Sequence, residues 1–176
     1  DKHALSKPKL LAQVDFYLRL QRDASYSDKV TAPDETPEQL LTHALKLNKF
    51  DVISDEFGEI IAISDKEKTL FNYYRNNILH LFAVPSLLAL HLFKQHTTTI
   101  KQCEQLVHSF YPLFAKEWYL QPLDENYITR ILANFADQNL IEFDGDNIHI
   151  TNTNDCLAKL EMLGRALSFT LQRYAI

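Results

Sequence analysis

Apolar residues along this chain fall mostly at helical spacing, interrupted twice by short strand-like runs. Leu10, Leu11, Val14, Tyr17, Leu18 and Leu20 predict a first helix, with Pro8 near its start where a missing N–H does little harm. Residues 23–35 are polar, lack periodicity and read as a loop. Thr36-Pro37-Glu38-Gln39 then predicts a helix start, with Thr36 as N-cap, Pro37 at the first position and Gln39 completing a capping box. That helix runs through Leu40, Leu41, Ala44, Leu45 and Leu47. Residues 50–54 and 59–64 read as two short strands, joined across Asp55-Glu56-Phe57-Gly58 with Gly58 at positive φ.

A long helical pattern follows from Asp65 to about Gln95, with Ser64 or Asp65 as its N-cap. Pro85 is expected to divide or kink it, because proline removes a helical hydrogen bond and clashes with the preceding turn. Residues 100–119 form another helical pattern, expected to be interrupted in the same way by Pro112. Residues 124–138 predict a helix with Ile128, Ile131, Leu132 and Phe135 on one face. Residues 140–143 and 147–151 predict a hairpin across Asp144-Gly145-Asp146. From about Asn154 a last helix carries Leu157, Leu160, Leu163, Ala166, Leu167 and Leu171.

The order helix, hairpin, helix thus occurs twice, around residues 40–64 and 128–151. Identity between the two is slight, so they read as similar supersecondary units and not as a repeat array. The expected fold is α+β and predominantly helical: six to eight helices with two short β-hairpins in helix–hairpin–helix units. Residues 1–176 read as one helical domain, with 1–64 and 65–176 as its finer division. A helix followed by a hairpin also closes a winged-helix module, which makes a winged-helix-like protein-binding module the competing reading. Both hairpin tips are acidic (Asp55, Glu56; Asp144, Asp146), which makes them poor phosphate contacts.

Composition narrows the function. A hydrophobic fraction of 46% with 11% aromatics supports a substantial core. Three glycines leave little room for phosphate-cradling loops. The net charge of -5, without any Lys/Arg run, disfavours nucleic acid as a partner, since phosphate neutralisation supplies most of that affinity. Cys103 and Cys156 lie far apart on helical segments and read as small buried apolar groups, with no sign of secretion to favour a disulfide. No glycine-rich nucleotide pattern, nucleophile elbow or zinc-type histidine spacing is present, and no cofactor or metal is expected. The start lacks both an initiator Met and an apolar leader, and the end stops in mid-pattern. Both ends read as cut, and the chain as a soluble piece of a larger enzyme without a complete active site.

One stretch is unusual: residues 72–90 set the polar cluster Asn72-Tyr73-Tyr74-Arg75-Asn76-Asn77 against a strongly apolar run. That run, residues 78–93, is shorter than the roughly 20 apolar residues a membrane span needs. It reads as a buried core helix, with shallow membrane contact or an acyl-chain or helix-binding surface as alternatives. Tyr74, Arg75 and Asn77 are either satisfied inside the fold, Arg75 on a carboxylate, or turned toward another domain or a phosphate there.

Tyr73-Tyr74-Arg75-Asn76-Asn77-Ile78, followed by His80 and Val84-Pro85-Ser86-Leu87, resembles bacterial membrane-bound glycerol-3-phosphate acyltransferases. Residues 40–50 and the block Thr170-Leu171-Gln172-Arg173-Tyr174-Ala175-Ile176 extend the resemblance over nearly the whole chain. It implies a parent enzyme transferring an acyl group from acyl-CoA or acyl carrier protein to the sn-1 hydroxyl of glycerol 3-phosphate. That step opens phospholipid synthesis at the cytoplasmic face of the inner membrane. In the family the chemistry belongs to a separate domain with a His-x4-Asp motif, the His acting as general base. No histidine here has Asp at that spacing, so the resemblance carries no catalytic residue over. It implies a non-catalytic C-terminal region that packs on the catalytic acyltransferase domain of the same parent chain and helps seat it on the membrane surface. Tyr74, Arg75, Asn76, Asn77 and His80 are the candidate inter-domain contacts.

Overall fold

The computed structural model describes residues 4–173 and the side chains of residues 4–167. His3 and Tyr174 to Ile176, together with the side chains of Thr170 to Arg173, lie outside the described residues. The chain divides into two compact units, one of Asp1–Arg22 with Thr31–Asn77, the other of Asp23–Val30 with Ile78–Ile176.

In the first unit, β1 (Ala4–Ser6) runs directly into α1 (Lys7–Asp23), followed by α2 (Pro37–Leu45), β2 (Asp51–Asp55), β3 (Gly58–Ala62) and α3 (Lys68–Ile78). The helix start at Thr36 is as the sequence predicts: the Thr36 hydroxyl accepts the N–H of Gln39, and the Gln39 side chain accepts the N–H of Thr36. The hairpin register pairs Asp55 with Gly58 and Ile53 with Ile60. Gly58 takes φ +127°, a conformation that side chains other than glycine's rarely adopt. At the next helix start Ser64 stands at the N-cap of a 3-10 turn, Asp65–Glu67, without making a side-chain cap. Phe16, Leu18, Leu20, Leu41 and Ile61 form the core of this unit. Each contributes roughly 1.5–3 kcal/mol on leaving water.

In the second unit, α4 (Ala83–Gln95) leads through His96 into β4 (Thr97–Thr99), and β4 runs directly into α5 (Ile100–Trp118). Then come α6 (Tyr127–Asp137), β5 (Ile141–Asp144), β6 (Asn147–Ile150) and α7 (Asn154–Arg173). The expected face of α6 is the buried one, with Ile128, Ile131, Leu132 and Phe135 at 4% exposure or less. α4 packs along α7, and the two backbones approach closely at Gly164. A Cβ there would lie 3.3 Å from Leu90 Cα. Cys103 and Cys156 are both free and buried, and burial pushes the Cys103 thiol up to about 11.

Two proline expectations separate. The break near Pro85 falls upstream of it, in a 3-10 turn at Leu79–Phe82, where Ile78 and Phe82 have φ of −107° and −109°. Pro85 then stands in the first turn of α4, where its missing N–H costs nothing. The expected interruption at Pro112 does not occur, and α5 continues through it. Pro112 and His108, whose carbonyl loses its partner, are both exposed residues of α5, where water can satisfy that carbonyl.

Both hairpins gain a third strand that the sequence reading does not include. Each lies antiparallel on the second hairpin strand, giving the orders β1-β3-β2 and β4-β6-β5. The two units therefore share one topology: strand, helix, helix, strand, strand, helix. With α4 in front, the second unit has the full element order of a winged-helix module.

Candidate functional site

The polar cluster lies on α3. Residues 72–78, nearly two full turns, are exposed around the whole circumference of the helix, and α3 buries no residue. Tyr73 is 61% exposed, Tyr74 53% and Ile78 50%. The helix is held at its start, where Phe71 packs on Phe50 with ring centroids 4.9 Å apart, and Tyr74 adds an edge contact to Phe71. Among the described residues Arg75 has no carboxylate partner, and its one hydrogen bond, 3.4 Å long, goes to Asn76 Oδ1. The cluster is thus not satisfied inside the unit. Its guanidinium fork, two phenols and three carboxamides belong to exposed residues.

His80 belongs to the second unit. It lies in the 3-10 turn before α4, half-buried, its ring edge-on to Tyr26 at 6.4 Å. Tyr26 stands on the strap Asp23–Val30, which crosses α6: Tyr26 packs on Tyr127, Arg130 donates to the Ser25 carbonyl and Asn134 to Asp23. The surface a winged helix would use to enter a groove is therefore covered by this chain's own strap. What α6 leaves exposed, Thr129, Ala133 and Asp137, carries no positive charge. No sequence signal marked the strap, because it lacks periodicity and acts only through long-range contacts.

The apolar run after the cluster is spent in the core. Ala83 to Ala89 and Leu92 are all buried in α4. By length and composition alone the helical stretch Asp65–Gln95 could cross a membrane, but 44% of its apolar window lies inside the protein.

A second candidate is a depression of about 400 Å³ lined by His91, Gln95, Thr97, Thr98, Gln102 and Gln105 among others. Its groups are neutral hydrogen bonders. The Thr98 hydroxyl gives its hydrogen to Gln102 and so accepts one from His91 Nε2 at 2.9 Å. Burial holds the His91 imidazole below its ordinary pKa.

The exposed α3 and the neutral depression beside β4 are candidate surfaces among the described residues. Residues 1–176 match the glycerol-3-phosphate acyltransferase C-terminal region over their whole length, and the chain belongs to that family. The chain is 88% identical over 176 residues to the glycerol-3-phosphate acyltransferase of Pseudoalteromonas translucida (strain TAC 125), covering 100% of itself. It spans 22% of the length of that relative. No solved structure matches it.

Proposed function

We propose that this chain is the non-catalytic C-terminal part of a glycerol-3-phosphate 1-O-acyltransferase, and that α3 is a surface on which the catalytic domain of the same protein packs. The observation that carries the reading is the bare helix. An isolated helix of 11 residues is marginal in water, and α3 exposes two tyrosines, an isoleucine and an unpaired arginine together. Arginine and tyrosine are the residue types that dominate contact surfaces. In this reading His80 acts from within the second unit, fixing the turn that starts α4.

The substrates belong to the whole enzyme: glycerol 3-phosphate as acceptor, with acyl-CoA or acyl carrier protein as donor, at the cytoplasmic face of the inner membrane. The sequence resemblance supports that placement. Most apolar residues of α4 are buried, which speaks against membrane contact there, whereas Tyr73 and Tyr74 have the amphipathic character that suits a headgroup layer. The winged-helix order of the second unit supports a second reading, a protein-binding module, and the strap over α6 speaks against nucleic acid as its partner.

The test is labelled acyl transfer by the full-length enzyme carrying Arg75→Ala or Tyr74→Ala. A fall of tenfold or more in a protein that still folds supports the docking reading. Unchanged transfer by both variants removes it. A full-length protein that folds in membrane yet transfers no acyl group removes the enzyme assignment as well.

A further inference from the structure

The shared topology of the two units says what covers α3. In the second unit the closing helix is α7, and its partner is α4, the helix standing immediately before β4 with only His96 between them. α7 buries Cys156, Leu160, Leu163 and Leu167, and Gly164 lets the α4 backbone approach closely. In the first unit β1, like β4, enters its following helix without a linker, and both three-stranded sheets have the same order. α3 is the counterpart of α7 by position in this order. None of its residues is fully buried, and the first unit has no described helix in the position of α4.

The counterpart of α4 would stand immediately upstream of β1. A protein of the kind matched here has chain to place there, because residues 1–176 cover only 22% of the relative. We propose that in the full-length enzyme α3 is covered by an amphipathic helix formed by the residues directly preceding this chain. That helix buries apolar groups against Tyr74 and Ile78 and presents a carboxylate to Arg75. The charge requirement comes from α3 itself: Lys68 already pairs with Asp65, while Arg75 lacks a carboxylate. This inference deepens the docking reading above and rests on it, naming the occupant.

The experiment is site-specific photo-cross-linking in the full-length enzyme. A benzoylphenylalanine replaces Tyr74 in one variant and Asn77 in another, and the adducts are mapped by peptide mass spectrometry. Expected is an intramolecular adduct from both positions within about 20 residues upstream of Asp1, the length of one helix and its connection. Adducts confined to a more distant part of the same chain overturn this inference and leave the docking reading standing. Adducts only to lipid, or to a second copy, overturn both. A carboxylate-to-lysine change at the mapped contact should be rescued by Arg75→Glu, restoring at least half of the lost transfer activity. If that pair shows no rescue, the assigned ion pair is wrong.

Discussion

The backbone N–H of Gln121 donates to the Tyr26 hydroxyl at 2.7 Å, joining residues 95 positions apart. Tyr111 donates to the Gln121 carbonyl at 2.5 Å, so both backbone polar groups of one residue are held by phenols. The strap Asp23–Val30 is thereby tied to the end of α5. Tyr26→Phe keeps the ring contacts to His80 and Tyr127 and removes the acceptor. Urea unfolding should show a loss of about 1 kcal/mol with an unchanged slope. An unchanged midpoint would mean that water replaces the phenol without cost.

Ser86 is fully buried in α4, and its hydroxyl finds no partner among the described residues. A buried donor left unmade costs about 1–3 kcal/mol. Ser86→Ala should therefore stabilise the fold, raising the urea midpoint by the equivalent of about 1 kcal/mol, although Ser86 lies inside the motif Val84-Pro85-Ser86-Leu87 that marks the resemblance. Destabilisation would show that the hydroxyl is bonded in solution.

The two prolines should respond oppositely. Pro112→Ala restores a donor inside α5 and relieves the ring against the preceding turn, a gain of about 1–3 kcal/mol at an exposed position. Pro85→Ala restores nothing, because the first turn has no partner for that N–H, and it leaves a small void at a buried site. Thermal unfolding of the two variants should move in opposite directions.

Burial lowers the His91 pKa, so the folded chain binds this proton less tightly than the unfolded chain. Its contribution is complete above the ordinary histidine value of about 6.5. It is lost progressively as pH falls from there through the lowered folded value. Relative to His91→Gln, the parent chain should lose stability between pH 7.5 and pH 5. Parallel pH profiles for the two proteins would contradict the assignment.

What lay open in the sequence was whatever is decided within a few residues. The Thr36–Gln39 capping box closes over three positions, the hairpins turn on two-residue tips, and the face of α6 follows from a 3.6-residue period. The expectation of two helix–hairpin–helix units held for the same reason. Cysteine burial also followed from local pattern, each thiol falling on an apolar helix face.

Tertiary structure decided the rest. Ala4–Ser6 is strand only because Ala4 meets Ala62, and Thr97–Thr99 only because Thr97 meets His149; three residues cannot signal such pairing by themselves. Pro112 was tolerated because the carbonyl it orphans faces solvent, a property of packing and not of the local sequence. The same holds for the polar cluster. Tyr73 to Asn77 have a sequence that fits a satisfied core as well as an open surface. Their exposure among the described residues distinguishes the two, since exposure depends on which distant segments come to cover a helix and not on the residues the helix contains.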